Sequence, residues 1–198
     1  MYTEELLESA AKGNHAELTK LVMLWQKRIY NFGLKYFGEH DMAMEITQKT
    51  FVTMCTKLHT LKDRTMFKSW LYSIAANYCH DEKRRSARWV QQVDSSTEGS
   101  GSLLPLQPID VHAEDTPDRL YQRAELANLL KRALATLSEE QRVVVIMKEY
   151  EGLKFHEIAE ILRISENTAK SRLYYGLDNL RKKLQQWNIH KETVSYGI

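Results

Sequence analysis

Asn167, Thr168, Lys170 and Ser171 fall within five residues at the start of a predicted helix. Side chains of these types suit the surface of a nucleic acid. Lys pairs with guanine or phosphate, Asn with adenine, and Ser and Thr with base edges or phosphates. They belong to the stretch HEIAEILRISENTAKSRLYYGLDNLRKKL, His156 to Leu184, whose periodicity predicts two helices separated by Arg163-Ile164-Ser165. Ile158, Ala159, Ile161 and Leu162 make the inner face of the first. Ser165 is placed to cap the second, with Glu166 in its first turn. At 100° per residue, Ala169, Leu173, Leu177, Leu180 and Leu184 gather within about 80° of one another. Asn167, Thr168, Ser171, Tyr174 and Tyr175 point away from that stripe, and Lys170 and Arg172 flank it. A tight turn between two such helices gives the angled pair that lays its second helix in the DNA major groove. The plainer alternative is a helical hairpin whose polar face meets water. His156-Glu157 is half of a zinc-protease helix motif, but Glu160 stands where its second histidine belongs.

A second set lies earlier in the chain. Ser73, Asn77, His80, Arg84 and Arg88 recur at three- and four-residue steps beside Trp70, ending near Trp89. Cations for phosphates, an amide for base edges and rings for stacking suit an opened strand. The alternative makes Trp70 core and EKRRSAR a solvated helix end whose cations complement the dipole.

Helices must position both sets. Thr3 is placed to cap TEELLESAAK, which stops at Gly13. Leu18, Leu21, Val22, Trp25, Ile29, Phe32 and Tyr36 then mark a long amphipathic helix ended by Gly38. Asp41 is the expected cap of a third helix, with Ala43, Ile46, Phe51, Met54 and Leu58 inward. A fourth turns Phe67, Trp70, Leu71, Ile74 and Tyr78 inward. From about Gln92 to Pro117 the periodicity vanishes. SSTEGSGS and three prolines mark a tether between domains. Periodicity returns through Leu120, Leu126, Leu130, Leu134 and Leu137. Ser138-Glu139-Glu140-Gln141 then opens the apolar run Val143 to Met147, and Glu151-Gly152 breaks it. No segment alternates with a period of two.

Charge follows the same division. The 198 residues carry a net +2, yet residues 1–90 hold 14 Lys+Arg against 10 Asp+Glu. Residues 91–118 hold six acids and no Lys or Arg, and residues 119–198 again hold 14 against 10. Two basic blocks flank an acidic tether. Apolar residues make up 43% and charged residues 27%, a composition with ample core for helical domains. No apolar run approaches the ~18 residues of a membrane span, and the N-terminus is acidic and polar. Cys55 and Cys79 lack metal-site or redox spacing and read as buried thiols.

The two sets together resemble one family. FKSWLYSIAANYCHDEKRR is similar to the region-2 signature of bacterial sigma factors, with its WLYxIAxN core and trailing basic residues. LSEEQRVVVIMKEYEGLKFHEIAEILRISENTAKSRL is similar to their region 4. With only a linker between them, the chain resembles the extracytoplasmic-function (ECF, group IV) class of the sigma-70 family. A helix-turn-helix alone would fit LuxR-type regulators equally; the region-2 signature separates the two.

The resemblance implies an all-α chain: a region-2 domain over residues 1–91, a flexible linker over 92–118 and a region-4 domain over 119–198. It implies a bacterial cytoplasmic protein that is not an enzyme and takes no cofactor or metal. Its partners would be core RNA polymerase, promoter DNA and an anti-sigma factor. Asn77 matches the residue that contacts a flipped base of the −10 element, and Trp70 the tryptophan beneath that surface. Ser73 and His80 share its stripe, and Lys83, Arg84, Arg85 and Arg88 would follow the phosphates. Asp41, Glu45 and Gln48 match the surface that docks on the polymerase clamp. Lys170, Ser171 and Arg172 match the −35 reading positions, joined on the same face by Ser165, Asn167, Thr168 and Tyr175. Two departures stand out: Lys49 replaces an acid that often follows the glutamine, and Tyr175 replaces an arginine that often reads −35. The rivals are a helix-turn-helix regulator acting without polymerase and a metal-dependent hydrolase built on His156 and Glu157.

Overall fold

The computed structural model describes residues 2–92 and 117–187, with side chains over 4–86 and 125–187. Most of the predicted linker, and the side chain of Arg88, lie outside the described residues. Among these the chain is all helix: α1 (Tyr2–Ala11), α2 (His15–Phe37), α3 (His40–Lys57), α4 (Phe67–Gln92), α5 (Pro117–Ala135), α6 (Glu139–Val145), α7 (Phe155–Leu162) and α8 (Glu166–Gln186). Two 3-10 turns join α3 to α4, and a π-helical turn, Ile146–Tyr150, extends α6.

Local chemistry sets most of the boundaries. Asn14 caps α2 by accepting from the Ala16 and Glu17 N–H groups. Gly38 ends α2 in the left-handed conformation at φ 77°, and its N–H donates to the Leu34 carbonyl. The cap of α3 differs from expectation. Glu39 holds the extended cap position, and its side chain makes no cap bond. Asp41 instead sits in the first turn, where its charge complements the helix dipole. What fixes this start is tertiary: the Tyr30 hydroxyl meets His40 Nδ1 at 2.7 Å, tying the helix entry to α2.

Leu21, Ile29, Phe32, Ile46, Met54, Leu58 and Leu71 fill the first domain, all at most 1% exposed. Around them, Trp25 meets Phe67 edge-on at 5.6 Å and Phe32 meets Tyr72 at 5.6 Å. The inward face of α4 is broader than its sequence stripe. Trp70, Ile74 and Tyr78 are only partly buried, whereas Tyr72, Ala75, Ala76 and Cys79 are buried. The reason is a second covering layer: α7 packs across α4, so two sides of that helix face protein. Cys55, expected inside, is exposed, because it lies off the Phe51–Met54–Leu58 stripe of α3.

In the second half, Ser138 caps α6 through a bond from the Gln141 N–H, as its capping-box pattern predicts. The π turn closes with the Glu151 N–H on the Ile146 carbonyl, and the Leu153 N–H follows on Met147. Gly152 makes this reversal at φ 61° with no other atom near the position a Cβ would take. Gly152→Ala is therefore disfavoured by backbone conformation alone. The expected loss is about 1–2 kcal/mol in a denaturation experiment, and an unchanged midpoint would show that the turn tolerates a side chain.

The two halves share one apolar cluster running from Leu7 through Cys79 to Leu134, Val144, Ile158 and Leu173. Polar contacts between them are considered below.

Two candidate nucleic-acid faces

The helix-turn-helix forms from its sequence as expected. Glu157 accepts the Lys154 N–H at 2.6 Å and so starts α7. That carboxylate is thereby committed to a helix end, while His156 is exposed. Among the described residues no group of three or more His, Cys, Asp or Glu could hold a metal ion. Arg163 adopts the left-handed conformation at φ 53° and turns the chain. The Ser165 hydroxyl then accepts the Thr168 N–H at 3.0 Å. Such a cap contributes about 1 kcal/mol.

Ala169, Leu173 and Gly176 bury the inner face of α8. Gly176 is the part the sequence stripe missed. A Cβ there would lie 3.0 Å from Val145 Cγ2, so α8 runs close against α6. Leu177 is 38% exposed, and Leu126 and Leu130 of α5 are each 37% exposed. Leu130 and Leu177 border an apolar groove between α5 and α8 that includes Leu134, Tyr150 and Leu180.

On the outer face, Asn167, Ser171, Tyr174 and Tyr175 are exposed, the two tyrosines at 66% and 67%. Other members of the expected set are partly committed. Ser165 and Thr168 bond one another at 2.8 Å within the cap. Lys170 lies 5.7 Å from the Phe155 ring and 4.0 Å from Glu166. Arg172 reaches back to Glu140 of α6 at 3.3 Å, which ties the recognition helix to its support.

On α4 the Ser73 hydroxyl donates to the Trp70 carbonyl at 2.7 Å, while Trp70 packs 6.0 Å from Phe67. Asn77, His80, Lys83 and Arg84 are exposed. Asn77 has no intramolecular polar partner among the described residues. Arg85 pairs with Glu82 at 2.9 Å, and Glu82 is only 8% exposed. Lys49 of α3 stands 3.6 Å from Glu82 and also bonds Glu45. Its hydrogen bond holds the Glu45 carboxyl below the usual carboxylate range and raises the Lys49 ammonium. So the unexpected lysine serves a buried carboxylate, and it joins Glu45 of the expected docking surface to the basic end of α4. Asp41 and Gln48 are exposed beside it.

The helix that carries Trp70, Asn77 and the trailing cations, and the helix-turn-helix, lie in two segments that match family models. Residues 21–89 match sigma-70 region 2, and residues 127–180 match sigma-70 region 4. The chain is 33% identical over 162 residues to the ECF RNA polymerase sigma factor SigL of Mycobacterium tuberculosis, covering 81% of this chain and 85% of that protein. This chain belongs to the ECF sigma factors.

Over nearly its full length, this ECF sigma factor is also 26% identical to SigW of Bacillus subtilis, with 93% of this chain and 98% of that one aligned. Its fold is similar to that of the sigma factor RpoE of Bartonella quintana, solved with the anti-sigma factor NepR, at TM-score 0.67 and 23% identity, over 84% of this chain and 96% of that one. CnrH, solved with the cytosolic domain of CnrY, aligns at TM-score 0.66 and 19% identity, over 94% of this chain and 99% of that one. Among the described residues of this sigma factor no helix is long and apolar enough to cross a membrane.

Proposed function

We propose that this chain acts as an alternative sigma factor that binds core RNA polymerase in the bacterial cytoplasm and directs transcription initiation. In this reading α8 recognises the −35 element, and α4 takes the opened strand of the −10 element. Asp41, Glu45 and Gln48 on α3 dock on the polymerase. The chemistry belongs to the polymerase; the sigma factor supplies recognition and opening. The observation that carries the reading is Asn77, an unpartnered amide set between half-buried Trp70 and the cations of α4. A regulator acting without polymerase would use α7 and α8 and leave that face without a role. By likeness to relatives solved with such partners, an anti-sigma factor is a further partner in this reading.

Reconstituted transcription with core polymerase and a genomic fragment library tests it. Discrete start sites that depend on the chain are expected, and none would refute the reading. A tight, specific gel shift by the isolated protein would favour the rival regulator.

Two substitutions test the α8 assignment. Ser171 is exposed and Lys170 half-buried, and both lie off the packed stripe of α8. Lys170→Ala and Ser171→Ala should each weaken −35 use while core binding and folding stay intact. A good base contact contributes ~1–3 kcal/mol of discrimination. Wild-type transcription by both variants across a set of −35 sequences would show that the docking face lies elsewhere.

A further inference from the structure

Among the described residues Glu82 is the only charged residue that is buried, at 8% exposure. A carboxylate taken out of water is costly unless it is paired, and here each oxygen faces one cation. Arg85 Nη2, on the same helix, stands 2.9 Å from Oε1, and Lys49 Nζ of α3 stands 3.6 Å from Oε2. Lys49 is shared with Glu45, so carboxylates and cations alternate from α3 to α4 in the order Glu45, Lys49, Glu82, Arg85. One turn before Glu82, the Thr53 and Tyr78 hydroxyls meet at 2.6 Å and tie the same two helices together.

The place of Arg85 on α4 gives that pairing a consequence. At 100° per residue, Arg84 lies about 20° from Asn77 around the helix, almost on its stripe. Glu82 lies about 140° round the other way, toward α3, and Arg85 falls between at about 80°. The Arg85 side chain is 59% exposed. From that position a long guanidinium side chain can swing to the face of Asn77 or back to the seam with α3, and the Glu82 carboxylate draws it back. Phosphate contacts hold a strand without reading its sequence. A cation withheld from them lowers the part of the binding that every strand would receive alike.

We propose that Glu82 is a positioning residue of the −10 face: held from α3 by Lys49, it keeps Arg85 off the opened strand and so sets how tightly the strand is gripped irrespective of sequence. The inference rests on the sigma-factor reading, and it takes Arg85 out of the expected phosphate path. It also gives Lys49 a task, since the lysine keeps the carboxylate at the α3 seam. Neutralising Glu82 leaves Lys49 on Glu45, so Arg85 is the cation set free.

The test measures salt dependence in the holoenzyme assembled from core polymerase and the full chain. The probe is a fluorescein-labelled fork-junction DNA, single-stranded over the −10 segment, from a promoter mapped by reconstituted transcription. For a single strand, each phosphate contact adds about 0.7 to the slope of log K against log salt. Glu82→Gln should steepen that slope by about 0.7, and Arg85→Ala alone should leave it unchanged. The double variant should return to the wild-type slope, a coupling that a packing role would not produce. A wild-type slope in Glu82→Gln, or a slope made shallower by Arg85→Ala alone, overturns the proposal. Should Glu82→Gln fail to assemble, Glu82→Asp decides: it keeps the charge but draws it back from Arg85 by one methylene. It should steepen the slope in the same direction, and an unchanged slope overturns the proposal. Absence of promoter-dependent transcription by the wild-type chain would instead sink the sigma-factor reading, and this inference with it.

Discussion

Asn77→Ala should bind core polymerase with wild-type affinity and leave the −10 region of the promoter closed. The amide offers a donor and an acceptor, which is what reading the edge of an unstacked base requires. Unstacking costs a few kcal/mol, so the contact matters where the strand opens and not where the protein docks. Asn77 is exposed and has no intramolecular polar partner among the described residues, which leaves little for the substitution to disturb in the fold. The folding stability of the variant should therefore stay within the small range of surface changes, about ±0.5 kcal/mol. Permanganate reactivity of −10 thymines should fall roughly tenfold, as the loss of about 1–3 kcal/mol of base recognition implies. A template carrying a pre-melted bubble should recover part of the activity. Normal opening on duplex DNA would remove Asn77 from the site.

The largest effect on stability is expected at Arg142. Its guanidinium donates to three carbonyls at once, those of Tyr36, Ala135 and Leu137. Burial lowers its pKa, with the Tyr36 and Glu139 groups opposing that shift. Arg142→Ala strips partners from the ends of α2 and α5 together. Each buried group left unsatisfied costs about 1–3 kcal/mol, so a total near 3 kcal/mol is a reasonable expectation. Arg142→Lys should rescue little, because an ammonium lacks the planar fork that spans several acceptors. Urea denaturation of both variants measures this. A loss below about 1 kcal/mol for Arg142→Ala would mean that water replaces the guanidinium at those carbonyls.

The boundaries of the helix-turn-helix were legible to the residue because their determinants are local. Ser165, Ser138 and the 163–165 turn act through bonds to neighbours three or four positions away. What stayed hidden depends on the other half of the chain. Tyr72 lies off the α4 stripe and has polar chemistry, yet it is fully buried because the Glu151 turn covers it. Asp41 looked like a helix cap, but the Tyr30–His40 contact starts α3 earlier. Lys49 looked like a departure, and its reason, buried Glu82, lies on the next helix. For the candidate site, the residue types of Asn77, His80, Asn167 and Ser171 could be read directly, and their exposure followed from the stripes. The commitments of Arg172 to Glu140 and of Arg85 to Glu82 could not, since pairing partners leave no periodic trace.

Gly176 bears on how such a protein can change its targets. The close seat of α8 on α6 rests on Ala169, Leu173 and Gly176, and none of these reaches the outer face. Positions 167, 171, 174 and 175 are free to vary without disturbing that seat. If α8 reads the −35 element as proposed, a duplicated copy of the gene could therefore acquire a new set of promoters through single outward substitutions, each tolerated by the fold when it arises. The glycine narrows the other route: a Cβ at 176 would press on Val145 Cγ2 at 3.0 Å and Gln141 Cβ at 3.4 Å, so either these α6 side chains yield by a few tenths of an ångström or the seat of α8 shifts. Divergence along this helix should proceed residue by residue, and laboratory retargeting has the same four handles.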